Sequence, residues 1–386
     1  MTTNPQTRSP VIGEGSPAFP ESGLACTPWR QMAFDKAAWD DLARSADEPN
    51  PFYESWFLLP SLEQLDPGGD ISILSLTRHG KLVGLMPIVR RSQYGGWPLT
   101  HIGNWLHPNI FFGAPLVSSG AEDDFWHALL DWSDANAGLS LFLHLELIAL
   151  TGPVHDSLVS VLAGDGRAWG VVERKERAIL ASDLDADAYL AASLSARTRK
   201  DLNRRFRRLS EQGEIEFSWE MGSDGIADWA DEFLALEASG WKGEEGSALM
   251  CDPATGSLFR QSLTGAADRE RLVRLSLRVD GKPIAMLSTF LAPPGAFGFK
   301  TAYDEEFSKF APGLLLEREF LTALDRLDIS WCDSCAASDH SVMNRIWREC
   351  RPVGRVSIAI GGPLRRAAFD RILRKEMANL NSGADA

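Results

Sequence analysis

Apolar residues in this chain recur at two spacings, about 3.6 and about 2 positions, and the change from one to the other divides it into elements. The segment 33–46, AFDKAAWDDLARSA, sets Phe34, Ala38, Leu42 and Ala46 at helical spacing. PFYESWFLLPSLEQL, 51–65, predicts a second helix. ISILSLTRHGKLVGLMPIVRR, 71–91, reads as two β-runs joined at His79-Gly80-Lys81, with glycine where a tight hairpin needs it. The stretch 94–115 is rich in glycine, proline and aromatic residues and predicts irregular structure. Helices over 123–136 and 154–163 then alternate with strands over 139–150 and 170–182.

The second half repeats this grammar. ERLVRLSLRVDGKPIAMLSTFLA, 270–292, is again strand, Gly-Lys turn, strand. Setting Leu74 against Leu275 aligns LSLTRHGK with LSLRVDGK at an offset of 201 positions. Helices precede both hairpins, and strand, helix, strand, helix follow. The order predicts a duplicated α/β domain, each copy a mixed sheet flanked by helices. Between the copies, SLSARTRKDLNRRFRRLSEQGE (193–214) puts Leu194, Thr198, Leu202, Phe206 and Leu209 on one helical stripe, with Gly213 as a C-cap.

Composition narrows the functional classes. The chain has 386 residues and a formal net charge of −14, so its surface as a whole repels nucleic acid and anionic membranes. An anionic partner therefore needs a local basic patch, and the inter-copy helix supplies one in Arg197, Arg199, Lys200, Arg204, Arg205, Arg207 and Arg208. It reads either as a solvated linker helix facing acidic surface or as a docking face for an anionic substrate or cofactor phosphates. It has no aromatic interleaving and matches no nucleic-acid motif. Residues 1–25, rich in Pro, Gly and Ser without an apolar core, predict a disordered leader rather than a signal peptide. The most apolar run, 139–150, is too short to span a bilayer and carries His144 and Glu146. The expectation is a cytoplasmic protein.

Five scattered cysteines exclude a disulfide framework. Cys332 and Cys335 form a lone CxxC without a second pair, and in a strand the odd step would send the two thiols to opposite faces, so no metal is expected. GDGRAWG, 164–170, follows a helix and reads as a turn rather than a dinucleotide loop.

The chemistry concentrates in GFKTAYDEEFSKFAPGLLLEREFLTALDRLD, 298–328. A β-run leads through a polar loop to Phe310-Ala311-Pro312-Gly313, and Leu314, Leu315, Phe320, Leu321, Leu324 and Leu327 then take helical spacing. Proline suits a first helical turn, glycine admits a close ligand, and the free amides of a helix N-terminus bind phosphate. The alternative is an ordinary strand-to-helix turn.

The run YDEEFSKFAPGLLL (303–316) resembles the acyl-donor segment of the GNAT acyltransferase superfamily, in particular its CelD/BcsL branch, also called BioF2-like acetyltransferases. The basic helix, LEASGWKGEEGSAL (236–249) and the tail strand WCDSCAASDHSVMNRIWRE (331–349) fit the same branch. The usual Arg/Gln-x-x-Gly-x-Gly/Ala loop appears here only as Lys309-Phe310-Ala311-Pro312-Gly313-Leu314. The resemblance implies two tandem GNAT-like domains, as in the FemABX transferases, each a mixed, mostly antiparallel sheet flanked by helices. The bounds are 26–185 for a degenerate first domain, 186–215 for the basic linker helix and 216–386 for the domain carrying the donor site.

Acetyl-CoA or another acyl-CoA is the implied co-substrate, held by Lys309, Phe310, Ala311, Pro312, Gly313 and Leu314. Direct transfer needs a base, for which Asp304 and Glu305 stand at the end of the donor strand, and an acid, for which Tyr303 does. Loop carboxylates are equally at home in solvent, and a strand-end tyrosine in packing. Trp241 and Lys242 are placed at the acceptor pocket, and Asp333 and His340 at its border, with packing, surface and capping roles as the alternatives. Three functions stay open: acyl transfer to an amine or hydroxyl of a sugar or cell-envelope (exopolysaccharide) precursor, a FemABX-like transfer from aminoacyl-tRNA, and a non-catalytic partner in exopolysaccharide assembly. The oligomeric state is left open.

Overall fold

The computed structural model describes residues 22–33, 35–324, 327, 329–337 and 343–383. In the first half these form β1 (Gly23–Pro28), α1 (Lys36–Ser45), α2 (Ser55–Leu65), β2 (Ser72–Arg78), β3 (Lys81–Arg91), β4 (His101–Asn104), β5 (Leu116–Val117), α3 (Glu122–Ala135), β6 (Phe142–Ala149), α4 (Pro153–Gly164) and β7 (Trp169–Leu180). Then follow α5 (Ala186–Ser193), α6 (Ala196–Leu209), β8 (Ile215–Met221), α7 (Ile226–Ala238), α8 (Trp241–Glu244), α9 (Pro253–Ala267), β9 (Leu272–Val279), β10 (Lys282–Ala292) and β11 (Gly295–Tyr303). The chain continues with α10 (Pro312–Leu324), β12 (Trp331–Asp333), α11 (Met343–Ile346), β13 (Glu349–Ala359) and α12 (Pro363–Gly383).

The repeat is real at the level of residues. Shifting β3 by the sequence offset lands on β10 end for end. The two turns match as well: His79 and Gly80 have φ of 52° and 72°, Asp280 and Gly281 φ of 48° and 77°. Two consecutive positive φ values are what a two-residue turn needs to follow the strands' right-handed twist. In each copy four antiparallel strands are followed by a parallel fifth, β6 beside β4 and β12 beside β11.

All strands belong to one sheet, ordered β1-β2-β3-β4-β6-β13-β7-β12-β11-β10-β9-β8, with β5 paired to β3. The seam is the long antiparallel pair β7·β13, running from Trp169↔Ile358 to Ile179↔Glu349. β13 bonds on its far side to β6, and the last residues of β7 bond to β12. Both copies therefore complete their sheets with the same two strands, one from each half of the chain. The C-terminal β13 lies between first-half strands, so the sequence bounds at 185 and 216 do not separate two independent sheets.

Packing also joins the copies. Phe52 and Trp56 of the first copy meet Phe297 and Phe290 of the second at ring separations of 5.9 and 4.8 Å. Such aromatic pairs contribute about 0.5–1.5 kcal/mol each beyond their buried area. A Cβ on Gly265 of α9 would lie 3.0 Å from Cβ of Trp56, so glycine permits the approach of α9 to α2. A second core lies beneath α5, α6 and α10, and a smaller one holds Phe369 and Leu373 of α12 against Phe142 and Val172.

Several expectations need correction. The stretch 94–115 holds β4, whose His-Ile-Gly-Asn sequence has no alternation and is fixed by pairing with β3 and β6. The tail strand is confined to Trp331–Asp333 and a helical turn follows at Met343–Ile346. Cys335 therefore lies outside a strand, with φ of 52°, and the alternating-face argument does not reach it. Helix α6 ends at Leu209, capped by Ser210. Gly213 lies in the turn beyond, where a Cβ would strike the Asp280 carboxylate. On α1 the buried stripe is Trp39, Leu42 and Ala43. Residues 1–21 of the expected leader and Phe34 lie outside the described residues, and β1 begins at Gly23.

His144 ties β6 to β13 through Nδ1 and Ser357 Oγ at 2.9 Å. Burial, reinforced by the nearby His101, Arg355 and Arg91, pushes this imidazole down to about 3, and burial with nearby Lys300 does the same to His107. Both must stay neutral in the fold while the unfolded chain binds protons below pH 6.5. Stability is thus lost as pH falls, by about 1.4 kcal/mol per unit for each histidine. Urea denaturation between about pH 6.5 and 5 reads this slope, and His144→Gln removes one histidine's share. A pH-independent midpoint across that window contradicts it.

Candidate active site

Strands β11 and β12 pair in parallel over Gly295–Phe297 and Trp331–Asp333, and then part. The Ser334 amide donates to the Ala178 carbonyl of β7 at 3.1 Å, turning the chain away from β11. A Cβ on Gly298 would sit 3.0 Å from the Ser334 carbonyl oxygen, so glycine marks the last close approach. On its other side β11 is bulged: Ser288 pairs with Lys300 and Thr289 with Gly298, leaving Phe299 extra. The bulge breaks alternation, so Phe299 and Lys300 both reach Phe111 of the first copy, at 6.2 Å between rings and 5.0 Å from Nζ. The result is a fork whose β11 edge has lost its strand partner.

What holds the fork open is a buried cluster. The Asp333 side chain is fully buried, with Oδ1 accepting from the Cys335 amide at 2.7 Å. Oδ2 lies 3.5 Å from Arg177 of β7 and 3.4 Å from Arg351 of β13. Arg351 also reaches Glu48 of the first copy at 3.3 Å and stacks on Phe112 and Trp331.

At the far end of β11 the loop delivers the start of α10. Ala311 is left-handed (φ 56°, ψ 56°) and Pro312 opens the helix. The first amides of a helix have no partner within it. No carbonyl or side chain among the described residues takes the amides of Gly313 or Leu314. The space over Gly313 is open, its nearest neighbour being the Tyr303 ring at 4.0 Å from an added Cβ. Helix α6 braces the loop, with Arg205 donating to the Lys309 carbonyl and the Asp201 carboxylate, both at 2.7 Å. Among the described residues no carboxylate pairs with Arg197, Arg199, Lys200, Arg207 or Arg208, all of them exposed, and Arg199, Lys200 and Arg207 line grooves along α6. Helix amides beside a strand edge without a partner suit a diphosphate-bearing donor.

The opposite face of β11 packs against the first copy, with Lys300 Nζ 5.0 Å from the Phe111 ring. Burial pushes the Lys300 ammonium down to about 8, helped by the positive Lys242 and opposed by Glu237 and Cys335. Glu237 is held by Lys242 Nζ at 2.7 Å and the Leu249 amide at 2.9 Å. His107 stacks on Phe57, with no partner for its buried Nε2 among the described residues.

Each residue expected from sequence now has a place. Asp304 caps the short helix after β11 by accepting from the Glu306 amide at 3.0 Å, and its other oxygen takes Lys282 at 2.8 Å. Glu305 accepts from the Trp241 amide at 2.9 Å, joining the donor loop to α8. Tyr303 is 40% exposed, beside Gly313. Lys309 is exposed with its ammonium over the buried Phe310 ring, and Leu314 is half-buried. Trp241 is 48% exposed. Asp333 is wholly inside, and His340 lies outside the described residues. Sequence reasoning missed Lys300, Glu317, Arg177 and Arg351. A usable signal existed for two of them: Lys300 is the one charge in the β-run GFKTAY, and Glu317 interrupts an apolar helical stripe.

The first copy has the same divergence, but closed. Asn104 follows the last parallel pair of β4 and β6, donating to the Glu146 carbonyl and accepting from the Glu146 amide, both at 2.9 Å. It also donates to the Gly113 carbonyl at 2.9 Å, while the Gly113 amide bonds to Leu147. A side-chain amide thus stands in for the missing strand, and the segment after β4 fills the fork instead of starting a helix.

Replacing Asp333 by Ala leaves Arg177 and Arg351 buried together, with Glu48 beside Arg351 as their remaining described carboxylate. The expected loss is about 3–5 kcal/mol, read from urea unfolding. A loss within about 0.5 kcal/mol would show that the cluster does not hold β12.

Residues 196–340 match the family of acetyltransferase (GNAT) domains. No functionally curated protein sequence matches the chain. Among solved structures the chain is similar to FemX, at 12% identity and a TM-score of 0.55 over 87% of this chain and 98% of that one. It is also similar to a conserved protein of unknown function from Bacteroides thetaiotaomicron VPI-5482, at 11% identity and a TM-score of 0.55 over 85% and 98%. A third is the DUF2156 C-terminal domain of an Agrobacterium fabrum protein, at 13% identity and a TM-score of 0.51 over 88% and 96%. Identities this low carry the fold and nothing finer. Residues 196–340 thus carry a GNAT acetyltransferase domain, and that domain, set in a fold of two similar copies in tandem, supports an N-acetyltransferase-like enzyme.

Proposed function

We propose that the protein moves an acyl group from acyl-CoA to an amine or hydroxyl of a sugar or other cell-envelope or exopolysaccharide precursor in the cytoplasm, as the CelD/BcsL (BioF2-like) resemblance implies. In this reading the donor lies in the β11/β12 fork of the second copy, the unit proposed to run over 216–386, and the acceptor beside Trp241 and Lys300 where β11 meets the first copy, proposed to run over 26–185. The observation that carries it is the open fork ending on the unpartnered amides of Gly313 and Leu314. The exposed Trp241 indole and the polar groups Lys300, Lys242 and Glu237 suit a sugar-like acceptor, which offers a ring face and hydroxyls.

The acceptor nitrogen or oxygen bonds to the thioester carbon, the C–S bond breaks, and the acceptor loses a proton. Amides on the free β11 edge receive the carbonyl oxygen as it gains charge. Asp304 and Glu305 hold the donor loop, so proton acceptance falls to Lys300, which is substantially neutral near pH 8. The leaving thiolate takes its proton from solvent, since Tyr303, the acid expected from sequence, stands beside Gly313 at the diphosphate end of the donor.

One observation favours a second reading, transfer from aminoacyl-tRNA: the five exposed, unpaired bases on α6 in an acidic protein. Binding of charged tRNA that weakens steeply with salt supports it. Failure to bind either donor, with capture of a polysaccharide synthase, supports a non-catalytic assembly role.

Acetyl-CoA raises the melting temperature if it binds the folded chain. Gly313→Asp abolishes the shift by setting a carboxylate against the diphosphate, and the site has room for it. An undiminished shift in the variant moves the donor elsewhere. With an active acceptor in hand, Lys300→Met lowers kcat about 100-fold or more and removes the rise in rate with pH through about 8. A variant of unchanged rate and pH profile removes Lys300 from the chemistry.

A further inference from the structure

Glu317 stands in the second turn of α10, between the buried Leu316 and the half-buried Arg318. Its side chain is turned inward: the residue is 7% exposed, and Oε2 is buried with no hydrogen-bond partner among the described residues. No cation among the described residues contributes to its environment, and burial pushes the carboxyl up to about 7. An unpartnered interior acid weakens a fold, and a leucine like the three before it would pack there at no such loss. Among the described residues none makes a hydrogen bond with Oε2.

Its position relates it to the donor. Residues four apart on a helix share a face, so Glu317 lies one turn, about 6 Å, below Gly313 on the same stripe. Gly313 opens on the space beside Tyr303, where β11 has parted from β12. The next residue on the stripe, Leu321, lines a cavity with Cys332 and Trp331 of β12 and Tyr189 of α5. The Cys332 thiol feels the Glu317 charge. Glu317 thus lies between the diphosphate end of the fork and its inner end, alongside β12. A coenzyme A thioester carries its diphosphate at one end and its sulfur at the other, joined by an arm whose polar groups are two amides and a hydroxyl. A ligand amide presents a carbonyl and an N–H side by side, and a neutral carboxyl can give to one and accept from the other.

We propose that Glu317 recognises an amide of the donor's pantetheine arm, its carboxyl making with that amide the hydrogen bonds it makes with no described protein group. This rests on the donor reading above and adds a positioning residue to it. Glu317 fixes how deep the arm sits, and so where the thioester meets the acceptor.

Calorimetry with two probes separates this claim from the one beneath it. Acetyl-CoA carries diphosphate and arm, and 3′-phospho-ADP carries the diphosphate without the arm. Glu317→Leu weakens acetyl-CoA about 10-fold and leaves 3′-phospho-ADP as in the wild type. Glu317→Gln, which keeps one donor and one acceptor, stays within about 3-fold of wild type for both probes. Ligand-free melting of the Leu variant at or above the wild-type temperature establishes that it folds. Unchanged acetyl-CoA affinity in the Leu variant, or equal loss of both probes, overturns the assignment of Glu317 and leaves the donor site standing. A wild-type protein that binds neither probe overturns both.

Discussion

The chemistry of this molecule depends on one strand leaving another early. β12 stays with β11 for three residue pairs and is then drawn to the seam, where its Asp333 meets Arg177 and Arg351. Isolated in an interior, none of these charges would be stable, and together they fix the direction of the chain after Phe297↔Asp333. The bulge at Phe299 does the complementary work on the other strand. A parallel sheet with both edges satisfied has no use for a ligand. A fork with one bare edge, ending at a helix N-terminus, does.

The tandem arrangement explains why one fork stays open and the other does not. Both copies inherit a parallel fifth strand that diverges from the fourth. In the first copy Asn104 and Gly113 consume the exposed groups of β6, and the freed segment carries His107, Phe111 and Phe112 toward the second copy. What would be a second donor site is filled, and its segment packs against the second copy. The shared pair β7·β13 makes this exchange rigid, since neither copy has a complete sheet without a strand from the other half of the chain.

Much of this was legible in the sequence, for physical reasons. The hairpins were readable because turn chemistry is local: Gly80 and Gly281 sit where positive φ is demanded. The start of α10 was readable because proline followed by glycine suits a first turn and little else. The place of β13 was not, because a strand's neighbours depend on pairing across the whole chain. Lys300 reaches Phe111 of the first copy through a bulge set by register against β10, which alternation within β11 cannot reveal. Arg177 and Arg351 look like ordinary strand charges until β7 and β13 bring them to Asp333. Asp304 and Glu305 read as free loop carboxylates, whereas their partners, Lys282 and the Trp241 amide, are far away in sequence.

Amide hydrogen exchange with and without saturating acetyl-CoA tests the central claim most directly, since it reports on the backbone groups on which the claim rests. The account predicts new protection at Gly313 and Leu314 and along Phe299–Tyr303, with none at β4 or β6. Protection confined to the first copy, or absent from the start of α10, would contradict it.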